Sequence, residues 1–337
     1  MKRWFPVFVA LLAGLALTAV ACSSHRGSAG EQVADDAGDD GGADSAPVEA
    51  GAADGDDAAT SSTAYVRIAQ LSPDTPSIDV CVAAHGTGSF QGPLLAQLGA
   101  ANAGDAGDEA EAGAAEEDAG PPGVAYAQVS AYLPLEPGAY DVRIVPAGSS
   151  SCAAFADAGV PDTTDLPAMA LGAHATLLVA GELTPAGSDP GITVALLPDD
   201  TVLAGGACSL RAINAMPAEP SLDFGLGSGS AWLPLFTDVR FAAASAHAGP
   251  GDSALDAQGY VAVAPFAPMQ AMSARASGSD AGADLAVATS VTLSLGSIAT
   301  VVAIGGKAGD TVHPPSLLLC TDNQPSGGLL ADCSIAQ

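Results

Sequence analysis

Residues 66–80 (VRIAQLSPDTPSIDV) recur without a gap at 210–224 (LRAINAMPAEPSLDF), so the chain must bury one pattern twice. Arg67 is matched by Arg211, Pro73 by Pro217, Pro76 by Pro220, Ser77 by Ser221 and Asp79 by Asp223. The apolar Val66, Ile78 and Val80 are answered by Leu210, Leu222 and Phe224. Three further blocks keep the same order. Residues 132–144 answer 260–276 with a small insertion; Leu171-Gly172, Ala175-Thr176 and Gly181 answer Leu295-Gly296, Ala299-Thr300 and Gly305; and residues 196–200 answer 319–323. Four blocks in one order predict two tandem domains, at 64–203 and 204–337.

The blocks are short apolar stretches rich in Val, Ile, Leu and Thr, set between Pro, Gly and Asp clusters, and no long segment carries a helical apolar period. That pattern predicts an all-β chain. Ile78, Val80 and Val82 alternate with Asp79 and Cys81, as in a strand with one buried face. Residues 173–180 and 298–304 are apolar on both faces and are expected to be central strands of a sandwich. Ser72-Pro73-Asp74 and Glu136-Pro137-Gly138 supply turn chemistry at the corners. The expected architecture is two tandem Ig-like or fibronectin-like β-sandwiches, each large enough to fold on its own.

Ahead of them, Lys2 and Arg3, the apolar run 4–17 and Ala19-Val20-Ala21 read as a signal peptide at 1–21. Ala19-Val20-Ala21-Cys22 resembles a bacterial lipobox, which makes Cys22 the lipidation residue; an ordinary A-x-A cleavage site, cutting the same bond, is the alternative. Residues 22–63 carry ten acids against Arg26 with no periodic apolar positions, and are expected to form a disordered, self-repelling tether. Its expected root-mean-square span is about 35 Å. The tether lacks the spacing of an ordered calcium loop. A second acidic segment, at about 99–123, holds Asp105, Asp108, Glu109, Glu111, Glu116, Glu117 and Asp118 and no base, as in a disordered insertion.

The net charge of −29 becomes more negative once the signal leaves. With both acidic segments set aside, 21 acids still face six bases. Nucleic acid is therefore excluded as a partner, and anionic lipid is a poor one. The protein is expected to be a monomer held to the membrane through its lipid, in the cell envelope at the outer membrane, on its surface or periplasmic face.

Export permits disulfides. Cys81 aligns with Gly225, and the region answering Cys152 also lacks cysteine, so two cysteines present together in one copy and absent together from the other predict Cys81–Cys152. Cys208, Cys320 and Cys333 all belong to the second copy. Cys320–Cys333, closing a short C-terminal loop, is the preferred bond, with the partner of Cys208 undetermined. No C-x-x-C occurs and the five histidines are scattered, so no zinc site or other cofactor is expected.

Arg67, Arg143, Arg211 and Arg275 occupy repeat-related positions, as do Asp79 and Asp223. An arginine placed in a sheet usually finds a carboxylate, so these six are candidates for a structural salt-bridge clamp repeated in each copy. His174 lies in an apolar strand and is answered by Ile298, which argues for a packed or edge histidine; His85, His247 and His313 sit in loop-like surroundings without a nucleophile nearby. Gly225-Leu226-Gly227-Ser228-Gly229 follows a strand with no helix behind it, and Gly305-Gly306-Lys307-Ala308 lacks the residues of a P-loop, so neither cradles phosphate. Trp232 with Leu233, Pro234, Leu235 and Phe236 is expected to pack within or between domains, the alternative being an exposed binding stripe.

The stretches 72–80 (SPDTPSIDV) and 132–143 (YLPLEPGAYDVR) resemble the bacterial secreted domain of unknown function numbered four-three-nine-seven. The resemblance extends over both copies, although Met216-Pro217-Ala218-Glu219-Pro220 departs from the first-copy motif. It implies an extracytoplasmic β-sandwich, often in tandem and often on lipoproteins, and no established reaction. With no G-x-S-x-G elbow or other catalytic motif, the expected function is a non-catalytic binding or structural display module. A carbohydrate- or protein-binding receptor would differ by presenting aromatic side chains together on one face. A hydrolase would need a convergent Ser/His/Asp or paired-carboxylate cluster.

Overall fold

The structure, a computed structural model, describes residues 63–98, 123–153, 160–202, 208–250, 254–279, 283–307, 309–323 and 330–336. The signal peptide, Cys22, the acidic tether and nearly all of the acidic insertion lie outside the described residues. Those described fall in one compact unit, which is nearly all β.

The first half contains β1 (Ala64–Gln70), β2 (Ile78–Ala84), β3 (Gln128–Val129), β4 (Leu133–Leu135), β5 (Tyr140–Pro146), β6 (His174–Ala180) and β7 (Thr193–Asp199), with a short helix at 94–98. The second contains β8 (Cys208–Asn214), β9 (Ser221–Leu226), β10 (Leu233–Arg240), β11 (Ala243–Ala244), β12 (Val261–Val263), β13 (Phe266–Ala276), β14 (Ala286–Leu293), β15 (Ile298–Ile304), β16 (Ser316–Thr321) and β17 (Cys333–Ala336).

Strand pairing follows the same plan in both halves. β1 runs parallel to β6, which pairs antiparallel with β7, and β3 and β4 lie on the free edge of β1; β8 runs parallel to β15, which pairs antiparallel with β16, and β11 and β12 lie on the free edge of β8. The second sheet of the first half is β2-β5, and its counterpart is β9-β13. The halves differ at the margins. β10 and β14 widen the β9-β13 sheet on both sides, where the described residues of the first half form the isolated bridges Ile78–Val124, Val82–Gln91 and Val142–Thr163, and β17 extends β16.

Three apolar layers separate four sheets. Val66, Ile68, Ala175, Leu177 and Val179 pack on Ile78, Val80, Val82, Val142 and Ile144 within the first half. Leu210, Ala212, Ala299, Val301 and Ala303 pack on Leu222, Phe224, Phe236, Met272 and Ala274 within the second. Between the halves, Ala69, Leu71, Leu178 and Ala180 meet Ile213, Ala215, Val302, Ile304 and Leu318. A strand turns successive side chains to opposite faces, so β1, β6, β8 and β15 each supply one set to their own sandwich and the alternate set to the layer between halves. This accounts for the runs at 173–180 and 298–304 that are apolar on both faces, since their strands are covered on both sides.

Both expected disulfides are present. Cys81 and Cys152 stand 5.9 Å apart between Cα atoms, and Cys320 and Cys333 stand 4.1 Å apart, directly opposite each other in the β16–β17 ladder. Cys208 is a buried free thiol whose sulfur approaches the Ser294 carbonyl oxygen at 2.9 Å.

Candidate functional site

The alternate faces of β1, β6, β8 and β15 also carry polar residues, among them one matched pair in each half. Arg67 lies beside Thr176 in the β1–β6 register, and Arg211 beside Thr300 in the β8–β15 register. Arg67 Nε donates to Thr176 Oγ1 at 2.8 Å, and Thr176 donates onward to Asp199 Oδ2 at 2.7 Å. Arg211 Nε donates to Thr300 Oγ1 at 3.2 Å, and Thr300 donates to Asp322 Oδ2 at 2.6 Å. A tyrosine completes each set: Tyr132 OH donates to Asp199 at 2.7 Å, and Tyr260 OH donates to Asp322 at 2.8 Å. Each guanidinium also lies over its own half's tyrosine ring, 5.1 Å from Tyr132 and 4.6 Å from Tyr260.

The ion pairs themselves cross between the halves. Arg67 Nη2 reaches Asp322 Oδ1 at 2.6 Å, and Arg211 Nη2 reaches Asp199 Oδ1. Arg67 Nε also stands 3.4 Å from Asp199 Oδ2. All four charged side chains are sealed from solvent, at 3% exposure or less. Burial alone would make Arg67 easier to deprotonate, but Asp322 and Asp199 outweigh it and its guanidinium holds its proton more firmly than usual. Burial likewise works to raise the Asp199 carboxyl, and Arg67, Arg211 and the Tyr132 and Thr176 hydroxyls more than reverse it, so Asp199 stays ionised below the ordinary range. Burial pushes Tyr132 and Tyr260 up, so both phenols remain protonated donors.

This network borders a cleft of about 360 Å³. On one wall, the Tyr65 and His174 rings stack at 4.7 Å with 13° between planes, and the Tyr132 ring meets His174 edge-on at 4.9 Å. Thr201, Asp322 and Asn323 are among the other lining residues. Both halves therefore build one cleft. Burial lowers the proton affinity of His174, with Arg67 acting the same way, against Asp199 and the Gly172 backbone.

The six clamp candidates divide. Arg67 and Arg211 enter the crossed network. Arg143 pairs with Asp162 through two contacts of 2.8 and 2.7 Å and covers Phe90, and Arg275 pairs with Asp284 at 2.7 Å and covers Trp232. Among the described residues no arginine pairs with Asp79 or Asp223, which corrects their expected role. Asp79 accepts the Leu95 and Ala96 amides at 3.0 and 2.9 Å, capping the unsatisfied N–H groups at the start of the 94–98 helix. Asp223 accepts the Asp238 amide at 2.8 Å, where β10 shifts register and Asp238 takes φ 52°, together with Ser277 Oγ and the Gly278 amide. Backbone donors freed by a helix start and a bulge lie nearer to these carboxylates than any guanidinium does.

The remaining candidates are placed as follows. His85 binds Asp141 at 2.7 Å on the surface, and the His313 ring meets Tyr126 edge-on at 5.0 Å. Trp232 is partly buried against the Gly225 backbone, while Leu233 is exposed. Among the described residues no group of His, Cys, Asp and Glu is arranged to hold a metal ion. Asp199, Asp322, Thr176, Thr300, Tyr132 and Tyr260 were not among the sequence candidates, yet each stands at a position matched in the other copy. That coincidence was the available signal.

The class of protein defined so far is an all-β, two-half stack with a buried, crossed ion network and one cleft beside it. A family described as a domain of unknown function, DUF4397, matches residues 112–225. The match runs from ahead of β3 into β9, spanning the junction between halves, and it includes Tyr132, Thr176, Asp199 and Arg211. Comparison with curated proteins yields no match.

Proposed function

We propose that this chain is a non-catalytic binding module of the cell envelope, lipid-anchored through Cys22, held away from the membrane by its acidic tether, and binding its ligand in the cleft beside the crossed network. The carrying observation is the grouping of Tyr65, Tyr132 and His174 along one wall of a cleft of about 360 Å³, within the size range of small-molecule sites. The carboxylates of the network, of which Asp322 lines the cleft, support binding over hydrolysis. Asp199 and Asp322 each accept from an arginine, a threonine and a tyrosine, which leaves neither placed as a proton acceptor for a substrate.

The test is co-sedimentation of the chain carrying Cys22→Ser, which has no lipid to retain it, with envelope isolated from its own cells. Retention of this chain and its loss when Tyr65→Ser/His174→Ile is added supports the cleft as the binding site; equal retention with both changes overturns it. Mass analysis of Cys22 tests the anchor, and a soluble, unlipidated form in the medium would remove it.

A further inference from the structure

The two halves serve as an internal control on one another. Arg, Tyr, Thr and Asp of the crossed network are present in both, as expected for groups that hold the fold together. The ring pair is not. By register, Tyr65 of β1 and His174 of β6 correspond to Ser209 of β8 and Ile298 of β15. The second half forms the same parallel pair without either ring, so packing does not demand them, and they stand where the cleft opens.

The charges at the cleft are also already spent. Arg67 is committed to Asp322, Asp199 and Thr176, and Asp322 to Arg67, Thr300 and Tyr260. Among the described residues lining the cleft, the one guanidinium and the one carboxylate already hold counter-ions or hydrogen-bond donors, so neither an anionic nor a cationic ligand meets an unpaired charge there. What the cleft offers a ligand is ring faces and edges on one side, and the Thr201 hydroxyl and Asn323 amide on another. Asn323 Nδ2 donates one hydrogen to the Gly296 carbonyl at 2.8 Å and its Oδ1 accepts the Ile298 amide at 3.0 Å, which fixes the amide with one N–H to spare. A purely apolar ligand would strip these groups of water with nothing in return.

We propose that the cleft takes a neutral saccharide, with the C–H face of a sugar ring against the Tyr65–His174–Tyr132 wall and its hydroxyls toward Thr201 and Asn323. Aromatic side chains with a polar tip suit such an amphipathic ring, and a lining whose charges are already paired with one another selects against uronates and free amino sugars alike. This rests on the binding reading above and narrows it to one ligand class.

The test uses the full chain in calorimetric titrations with neutral oligosaccharides (glucan, mannan, galactan and N-acetylated chitin fragments) and with charged counterparts (oligogalacturonate and chitosan fragments). Expected is saturable binding to at least one neutral series, weakened about tenfold or more by Tyr65→Ser and by His174→Ile, and restored by Tyr65→Phe. Both weakening variants install the residue that the second half already tolerates, and their melting temperatures check the fold. Binding confined to the charged series, no binding to any neutral series, or undiminished binding by the variants overturns the saccharide assignment. If no saccharide binds while Tyr65→Ser/His174→Ile still abolishes retention on whole envelope, the ligand class falls and the binding reading survives.

Discussion

Arg67 and Asp322 lie 255 residues apart in sequence and meet at 2.6 Å, Nη2 to Oδ1, across the layer between the two halves. Because Arg211 and Asp199 meet in the reciprocal sense, each half supplies the counter-ion that the other buries. Removing one member of a buried pair strands its partner, which typically costs about 3–5 kcal/mol. Arg67→Met should therefore destabilise the chain by about that amount in urea denaturation. A loss below about 1 kcal/mol, the range of surface pairs, would show that the network is hydrated in solution.

Asp199 receives Arg67, Arg211, Thr176 and Tyr132, whereas Asp322 has one arginine within reach. Asp199→Asn is accordingly expected to cost more than Asp322→Asn in the same denaturation experiment. The difference should disappear in an Arg211→Met background, where Asp199 has lost its closest partner. Equal costs in the wild-type background would mean that the two carboxylates share the charge evenly.

Gly181 and Gly305 occupy matched positions just after β6 and β15, with φ of 95° and 110°. A Cβ at Gly181 would run into the Gly191 carbonyl, and one at Gly305 into the Pro314 carbonyl. Strain and overlap act together, so Gly181→Ala and Gly305→Ala should each lower stability by about 1–3 kcal/mol. Gly172→Ala, with positive φ and open space around it, isolates the conformational part and should cost less. Comparable losses at all three positions would show that the carbonyl approaches do not matter.

The strands, the doubly covered runs and both disulfides were legible from residue patterns, because alternation reports which faces are buried and the copy difference pairs Cys81 with Cys152. The neighbour across a buried face was not legible. Arg67 and Asp79 lie close in sequence and both recur, which pointed to a clamp within each copy; yet strand register places Arg67 on the face turned toward the other half, beyond the reach of Asp79. Nothing in a period of two says which sheet will cover that face. The cleft was hidden for the same reason. Tyr65, Tyr132 and His174 are scattered through the first copy and meet through strand pairing and ring contacts within it, and Asn323 of the second copy joins them only when the halves stack.

Cys81–Cys152 closes a separation of 71 residues and Cys320–Cys333 one of 13. In the chain-entropy description these correspond to about 4 and about 3 kcal/mol. Replacing each pair with serines should rank the losses in that order in denaturation under oxidising conditions. The reverse order would mean that the short link matters chiefly by pinning β17 to β16 at the margin of the stack. Cys208, buried beneath Ser294, should react with thiol reagents only on unfolding.

Two histidines should shape the pH dependence of stability in opposite senses. Burial lowers His174 below its ordinary 6.5, with Arg67 and Asp199 facing it from β1 and β7 and the Tyr65 and Tyr132 rings packed on it. Its folded form thus sheds a proton that the unfolded chain keeps, so its contribution is complete above pH 6.5 and is lost as pH falls. His85 is the reverse. Its hydrogen bond to Asp141 and the charge of that carboxylate raise it above 6.5, so its contribution is complete below 6.5 and fades as pH climbs through the folded value. Stability curves measured from pH 5 to pH 8.5, with each variant subtracted from wild type, separate the two. His174→Ile should flatten the limb below pH 6.5, and His85→Ala the limb above it. If His174→Ile leaves the acid limb unchanged, the imidazole is as well hydrated in the folded cleft as in the unfolded chain, and the wall assigned to the ligand is open to water.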